Sequence, residues 1–387
     1  MGSTFVRTCD WPMPRVLRTG GFLVHIHGCA LTVSRDNLTL LATVDVLGKP
    51  FRTVWGTQHR QIEPPGGLML GVDDGACAYD GRVEVNLLKY RCGRVPRAAK
   101  AIRVRAVARG SLPSAAVVVP LRTLRVSHAG LHCSSTALYG HMPTQGARLR
   151  AAHAAWASLG LGQTLAFARS PEDCCAATGD CGGDTASRLL CVPRQQMTSP
   201  DAARARNASG AAAVGVYFDQ KIHLALCLLY AQLGRAALLA AADTDELPAP
   251  GVGGVLAQLP SERRVAGALF FFDSALRCPA DLGCPSSEED FERRCPHPPT
   301  AKRRTHTKPV VVPARVSSLS IHRAKPRPGF ALLRSYDPCL RHLRFPRCFA
   351  PDMESFKKTW HTAASVLSAE CAAQQARVEQ RRLLGCS

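Results

Sequence analysis

Acidic residues are scarce in this chain: 29 Asp and Glu stand against 49 Lys and Arg in 387 residues, a net charge of +20. That balance says little about fold but favours attraction to polyanions. Aromatics are sparse too, at 6%, which leaves little for the stacking platforms used by single-strand nucleic-acid readers. No Gly-x-Ser-x-Gly elbow, no phosphate loop ending Gly-Lys-Ser/Thr and no Gly-x-Gly-x-x-Gly fingerprint occurs, which removes the commonest hydrolase and nucleotide signatures. Cys-x-x-Cys is also missing, so a thioredoxin-like redox pair is excluded although the chain has 17 cysteines.

Long apolar runs are lacking as well. The best window, "IHLALCLLYAQLGRAALLAAA" at 222–242, is interrupted by His223, Gln232, Gly234 and Arg235, whereas a spanning helix needs about 20 predominantly apolar residues. It reads as a buried core helix, with no membrane span expected. The opening "MGSTFVRTCDWPMPRVLRTGG" has Arg and Pro where a leader would be apolar. The expectation is an intracellular protein, in nucleus or cytoplasm and not secreted, whose cysteines are mostly reduced and buried.

The positive charge is uneven. Residues 1–150 hold 20 Lys and Arg against 8 Asp and Glu, residues 151–295 hold 12 against 16, and residues 296–387 hold 17 against 5. Two basic segments thus flank a mildly acidic one. Forty of the 49 cations are Arg, whose planar fork suits phosphate and carboxylate better than the point charge of Lys.

From about 20 to 140 the hydrophobic period is near two. "GGFLVHIHGCALTV", "NLTLLATVDVLG", "AIRVRAVARG" and "AAVVVPLRTLRVSH" alternate and are separated by Gly, Pro and Asp turns, which predicts a β-rich sandwich or barrel. Residues 147–168 start as a helix anchored by Leu149, Trp156 and Leu159; 169–187 reads as a loop, "AAAVGVYFD" as a strand feeding the next helix, and "RVAGALFFFDS" as a buried strand. Prolines and cations then mark a linker. In the tail, Phe356, Trp360, Leu367 and Val378 recur at helical spacing and predict an amphipathic helix that packs on the core or on a partner protein. The fold class read from these patterns is α+β: a β-rich basic domain over 1–146, a mixed α/β domain over 147–277, a Pro-rich basic arm over 278–328 and a helical segment over 329–387.

Four Cys/His groupings invite a metal. His25, His27 and Cys29 lie at alternate positions of one strand, so they would share a face. His128, His132, Cys133 and His141 are dense but match no zinc spacing. Cys174, Cys175, Cys181 and Cys191, and separately Cys278, Cys284, Cys295 and His297, are the zinc candidates, although their gaps depart from the short pairs zinc modules use. Zinc is the one cofactor considered, and none is required. Asp73 with Asp74, and Asp243 with Asp245, sit in turn contexts where Asp is common.

The main polyanion candidate is "RCGRVPRAAKAIRVRAVAR", with Arg91, Arg94, Arg97, Lys100, Arg103, Arg105 and Arg109. On a strand over 101–109, Arg103 and Arg105 face away from Ile102 and Val104, so they would present guanidinium groups to a DNA or RNA backbone without reading bases. The alternative is a solvated basic strand that discourages edge pairing. Lys302, Arg303, Arg304 and Lys308 form a second basic element, read as an exposed arm or import signal.

The Ala/Arg-rich stretches "RAAHAAWA" and "ARARNASGAAA", the many cysteines and the Lys302-Arg303-Arg304 run in a Pro-rich arm resemble, in style, herpesvirus-type proteins of GC-rich large DNA viruses. The resemblance is one of composition and implies a regulatory or tegument-type protein of the host nucleus or cytoplasm. The β-rich half also suits the dUTPase-related group of those viruses, though none of its nucleotide-binding motifs occurs. The expected function is a non-enzymatic interaction protein with protein partners and basic surfaces for nucleic acid. A degenerate dUTPase-related protein and a zinc-stabilised module remain the alternatives.

Overall fold

A computed structural model describes residues 2–10, 15–32, 35–46, 67–73, 75–84, 87–96, 98–135, 138, 142–168, 170–179, 188–194, 212–244, 246–248, 252–277 and 307–344. The first nine strands are β1 (Ser3–Cys9), β2 (Arg15–Thr19), β3 (Phe22–Thr32), β4 (Arg35–Val46), β5 (Met69–Val72), β6 (Gly75–Glu84), β7 (Leu87–Arg94), β8 (Ala101–Val107) and β9 (Val117–Ser127). They pair in the order β1-β9-β8-β5-β6-β7-β4-β3-β2, and β1 also pairs with β3. That last pairing closes eight antiparallel strands into a barrel, with β2 hairpinned onto β3. Closure removes the exposed edges that would otherwise template aggregation. The β2–β3 turn is two residues, Gly20 and Gly21, both at positive φ, the backbone a primed hairpin turn demands and glycine adopts without strain. Val24, Ile26, Leu40, Leu70, Val104 and Val119 fill the interior.

A second sheet follows: β10 (Leu131–Cys133), β11 (Gln163–Ala168), β12 (Leu189–Pro193), β13 (Leu239–Ala241), β14 (Glu246–Pro248), β15 (Val265–Arg277), β16 (Thr307–Val311) and β19 (Ala331–Arg344), in the order β12-β11-β10-β13-β16-β15-β19-β14. The strands β12, β11, β10 and β13 are mutually parallel, while β16 is antiparallel to both its neighbours. β17 (Val316–Leu319) and β18 (Ala324–Pro326) form a separate two-stranded ribbon. On β11, Ala166 and Ala168 face helices α1 (Met142–Ser158) and α2 (Pro171–Thr178), and Leu165 and Phe167 face α3 (Ala212–Leu233) on the other side. A short α4 (Val252–Gln258) joins the α1 side through Leu256.

Helix α3 joins the two halves. Its residues from Ile222 to Tyr230 are buried on every face, as expected of a helix that is apolar nearly all round. One side meets the sheet; the other meets the barrel wall through Ala30, Leu124 and Val126 in the same continuous core. Gly28 and Gly234 permit this approach, since a Cβ at either would stand 2.4 Å from Leu226 or Val126 respectively. Each fully buried Leu of α3 stabilises the junction by roughly 1.5–3 kcal/mol.

Three expectations need correction. The chain is not α+β with a helical tail: strands make up 51% and helices 21% of the structure, in large antiparallel sheets. Residues 331–344, expected in the helical segment, are β19, and 307–326, expected in a structureless arm, contribute β16, β17 and β18. The stripe of Phe356, Trp360, Leu367 and Val378 lies outside the described residues. The cysteines are not mostly reduced thiols, because Cys9–Cys29, Cys77–Cys92, Cys133–Cys227 and Cys174–Cys191 are disulfides. Among the described residues no helix is long and apolar enough to cross a membrane.

Candidate functional site

The parallel strands place a crevice by their order alone. From β10 the chain moves to β11 and β12, then returns through α3 to β13 on the other side of β10, so the topology switches direction between β10 and β13. Open α/β sheets gather functional groups at the carboxyl ends of strands on such a point. Here those ends supply Ser135 after β10, Arg194 after β12 and Asp243 after β13, while the antiparallel β16 brings Lys308 to the same edge.

Lys308 Nζ lies 2.9 Å from Asp243 Oδ2 and 3.0 Å from Glu246 Oε2, with its side chain only 2% exposed. Burial works against its charge, but Asp243 and Glu246 outweigh that and raise its pKa above the ordinary lysine value. Ser135 Oγ donates to Asp243 Oδ1, and the Asp243 N–H donates to Glu246 Oε2 at 2.7 Å. A second pair lies deeper, where Arg194 Nη1 donates to Asp219 Oδ1 at 2.8 Å with side-chain exposures of 1% and 5%. Its Nη2 donates to His27 Nδ1 at 3.0 Å, and His27 Nε2 pairs with Thr43 Oγ1 at 2.9 Å. Guanidinium can only donate, so His27 accepts at Nδ1 and is neutral. Burial, then Arg194, hold its pKa well below the ordinary value.

Three more imidazoles complete the seam. His132 donates from Nε2 to the Ala242 carbonyl at 3.0 Å and accepts from Thr164 at Nδ1, while His153 Nδ1 meets the same Thr164 hydroxyl at 3.0 Å. Burial pushes His132 down to about 3, despite the Ala242 carbonyl. His223 donates from Nδ1 to the Ser135 carbonyl at 2.9 Å and stacks on Phe167 with ring centroids 4.0 Å apart; burial, then Arg194, lower its pKa. Histidines held neutral this firmly do not exchange protons near pH 7. The seam therefore pins strand ends, α3 and the barrel in register, which is the best-attested use of buried polar groups.

The sequence-level site residues divide as follows. His25 and His27 lie side by side with ring centroids 6.4 Å apart, but Cys29 does not share their face, because a bulge between Ile26 and Gly28 shifts the register: His27 meets Arg194, and Cys29 joins the barrel core through its bond to Cys9. His128 pairs with Thr4 Oγ1 at 2.7 Å and joins neither His27 nor His132. Cys174 and Cys191 are bonded to each other and Cys175 is also in a disulfide, so none of the three offers a zinc-binding thiolate. Cys181, Cys278, Cys284, Cys295 and His297 lie outside the described residues, as do Arg97, Lys302, Arg303 and Arg304. Lys308 is no part of an exposed arm, being the buried centre of the Asp243–Glu246 pair.

The remaining polyanion candidates are all on the surface. Arg91, Arg94, Lys100, Arg103, Arg105 and Arg109 are exposed. Arg103 and Arg105 alternate along β8 with the buried Ile102, Val104 and Ala106. β5 and β6 separate them from Arg91 and Arg94 on β7, so the cations cover a broad face rather than a single row. Asp80 holds Arg91 at 3.0 Å, and Asp73 lies 3.9 Å from Arg103; Arg94, Lys100, Arg105 and Arg109 have no carboxylate partner among the described residues.

By fold, this is a β-rich protein in which a closed antiparallel barrel and a mixed sheet share one core through a central helix. Compared with protein-family models and with curated proteins, the chain matches none.

Proposed function

We propose that the protein is a non-catalytic interaction protein that binds polyanions through the outer face of its barrel. The observation that carries this reading is β8, which spends every inward position on the core and presents Arg103 and Arg105 to solvent. Lys100 and Arg109, just beyond the two ends of the strand, and Arg94 on β7 add further exposed positive charge to the barrel. Guanidinium groups without buried partners keep their donors free for phosphate or sulfate oxygens, and such contacts are independent of base sequence. Compositional likeness to large DNA viruses supports a regulatory or structural role of the tegument type.

The disulfides favour folding in an oxidising compartment, against the nucleus or cytoplasm first expected. Seven of the eight cysteines in the four described pairs are buried, so once made these bonds are shielded from reductants until the chain opens. The test is Arg103→Glu with Arg105→Glu, two exposed positions whose exchange leaves the core intact. The double variant weakens binding of a mixed-sequence DNA duplex by roughly tenfold or more at low salt, the scale set by losing phosphate contacts. Unchanged affinity would remove the barrel face from the interaction.

A further inference from the structure

The end of the second sheet opposite the polar seam carries a positive surface of its own. It is built where β15 and β19 begin side by side, with Val265 opposite Ala331 and the Ala331 N–H donating to the Arg264 carbonyl at 2.8 Å. Arg315 ties the β17–β18 ribbon to the same place, donating to the carbonyls of Pro260, Glu262 and Val265 at 2.8, 2.6 and 2.7 Å. The Arg327 N–H in turn donates to the Arg315 carbonyl at 2.9 Å. Backbone hydrogen bonds therefore hold the 262–265 turn, the ribbon and the start of β19 together. On them stand Arg263, Arg264, Arg323, Lys325, Arg327 and Arg334, all exposed. Glu262 is the only carboxylate in 259–266 and 307–334. Six exposed cations with one carboxylate among these segments set up a positive potential that attracts a polyanion.

We propose that this surface is a second binding site, for the phosphate backbone of duplex nucleic acid. The proposal rests on the polyanion-binding reading above and adds a contact on the other half of the molecule. The ribbon decides between partner classes. Val316 and Leu319 of β17 are buried, leaving β18 as the outer strand, with Lys325 exposed on it and Arg323 and Arg327 at its two ends. A two-stranded ribbon fits the width of a duplex major groove, a shape that a flat membrane or a single polysaccharide chain does not offer. Five of the six cations are Arg, which clasps phosphate oxygens in pairs. Among the described residues Leu333 is the only large exposed apolar side chain there, at 44%, too little to anchor in lipid, and none there is an exposed aromatic that could stack on unpaired bases. Contact is with the backbone, at both strands of a duplex.

The experiment uses the full chain with Arg263→Glu, Arg264→Glu, Lys325→Glu and Arg334→Glu combined, and measures anisotropy of a labelled 20-base-pair mixed duplex, with heparin and phosphatidylserine vesicles as parallel probes. The expected result is a loss of duplex affinity of roughly tenfold or more and a salt dependence shallower by about three charges, with unchanged circular dichroism and melting. If the quadruple variant melts early, Arg263→Gln with Arg264→Gln, at two exposed positions, must shift duplex affinity in the same direction. Duplex binding equal to wild type, alongside loss in the β8 double variant, would overturn this site and leave the barrel reading standing. Loss confined to heparin or to vesicles would overturn nucleic acid as its partner. A wild-type protein that binds none of the three probes would overturn both proposals.

Discussion

Lys308 holds Asp243 and Glu246 where water hardly reaches. Lys308→Met fills similar space but strands two carboxylates, and breaking a buried pair from one side costs about 3–5 kcal/mol. The urea midpoint should fall accordingly, and a midpoint within the error of wild type would show that the seam is not structural. The neutral histidines set the response to acid. His27, His132 and His223 all have folded pKa values lowered from 6.5, so each takes up a proton more readily in the unfolded chain. Their contribution is complete above about pH 7 and is lost as pH falls below 6.5 towards the folded values, about 3 for His132. The loss reaches about 1.4 kcal/mol per pH unit for each. Denaturation followed from pH 8 to pH 5 should show this decline, and a flat profile would contradict it. Lys308 itself misleads in the sequence because "KRRTHTKP" looks like one solvated run. The opposing signal is the apolar "PVVV" that follows, which makes the lysine the second residue of a buried strand and not the end of an arm.

Helices α1 and α2 touch where Gly146 leaves no room for a side chain: a Cβ there would stand 2.1 Å from the Ala177 carbonyl oxygen. Gly146→Ala gains up to about 1 kcal/mol of helix propensity. Overpacking against backbone costs about 1–3 kcal/mol, so the variant should melt lower than wild type, and a higher melting temperature would refute the close contact. Some of these elements were legible and others were not. The alternation in "AIRVRAV" places Arg103 and Arg105 outside and Ile102 and Val104 inside, as they are. The loop read over 169–187 contains α2, whose signals were all present: Ser170 caps it by accepting from the Asp173 N–H, Pro171 opens it, and Gly179 closes it at φ 77. The strand read at "AAAVGVYFD" opens α3 instead; β-branched and aromatic residues favour strands only weakly and according to context, so the short run misleads. The bulge after Ile26, which splits the apparent His-His-Cys face, has no local signature beyond Gly28.

Across the whole molecule, disulfides and charge carry the remaining consequences. Cys133–Cys227 joins β10 to α3 across 94 residues of sequence, and closing a loop of that size stabilises the fold by about 4–5 kcal/mol in a chain-entropy treatment. Peptide mapping without reductant should recover all four described pairs, and alkylation of their eight cysteines in the native protein would rule the framework out. The pairing was hidden from the sequence because strand order and not spacing brings the cysteines together. Cys9 meets Cys29 only where β1 pairs with β3 to close the barrel. The charge distribution, by contrast, could be read in part: the barrel surface falls in the basic first segment, while the second surface joins Arg323, Lys325, Arg327 and Arg334 of the basic third segment to Arg263 and Arg264 of the mildly acidic middle one.

Polyanion binding by the unmodified protein is most directly tested through its salt dependence. Affinity for a mixed-sequence DNA duplex, measured from 50 to 200 mM salt, should fall linearly on logarithmic axes with a slope of roughly −4 or steeper, as expected when several cations each displace about 0.9 counterion. No measurable binding at 50 mM salt, or an affinity indifferent to salt, would contradict it.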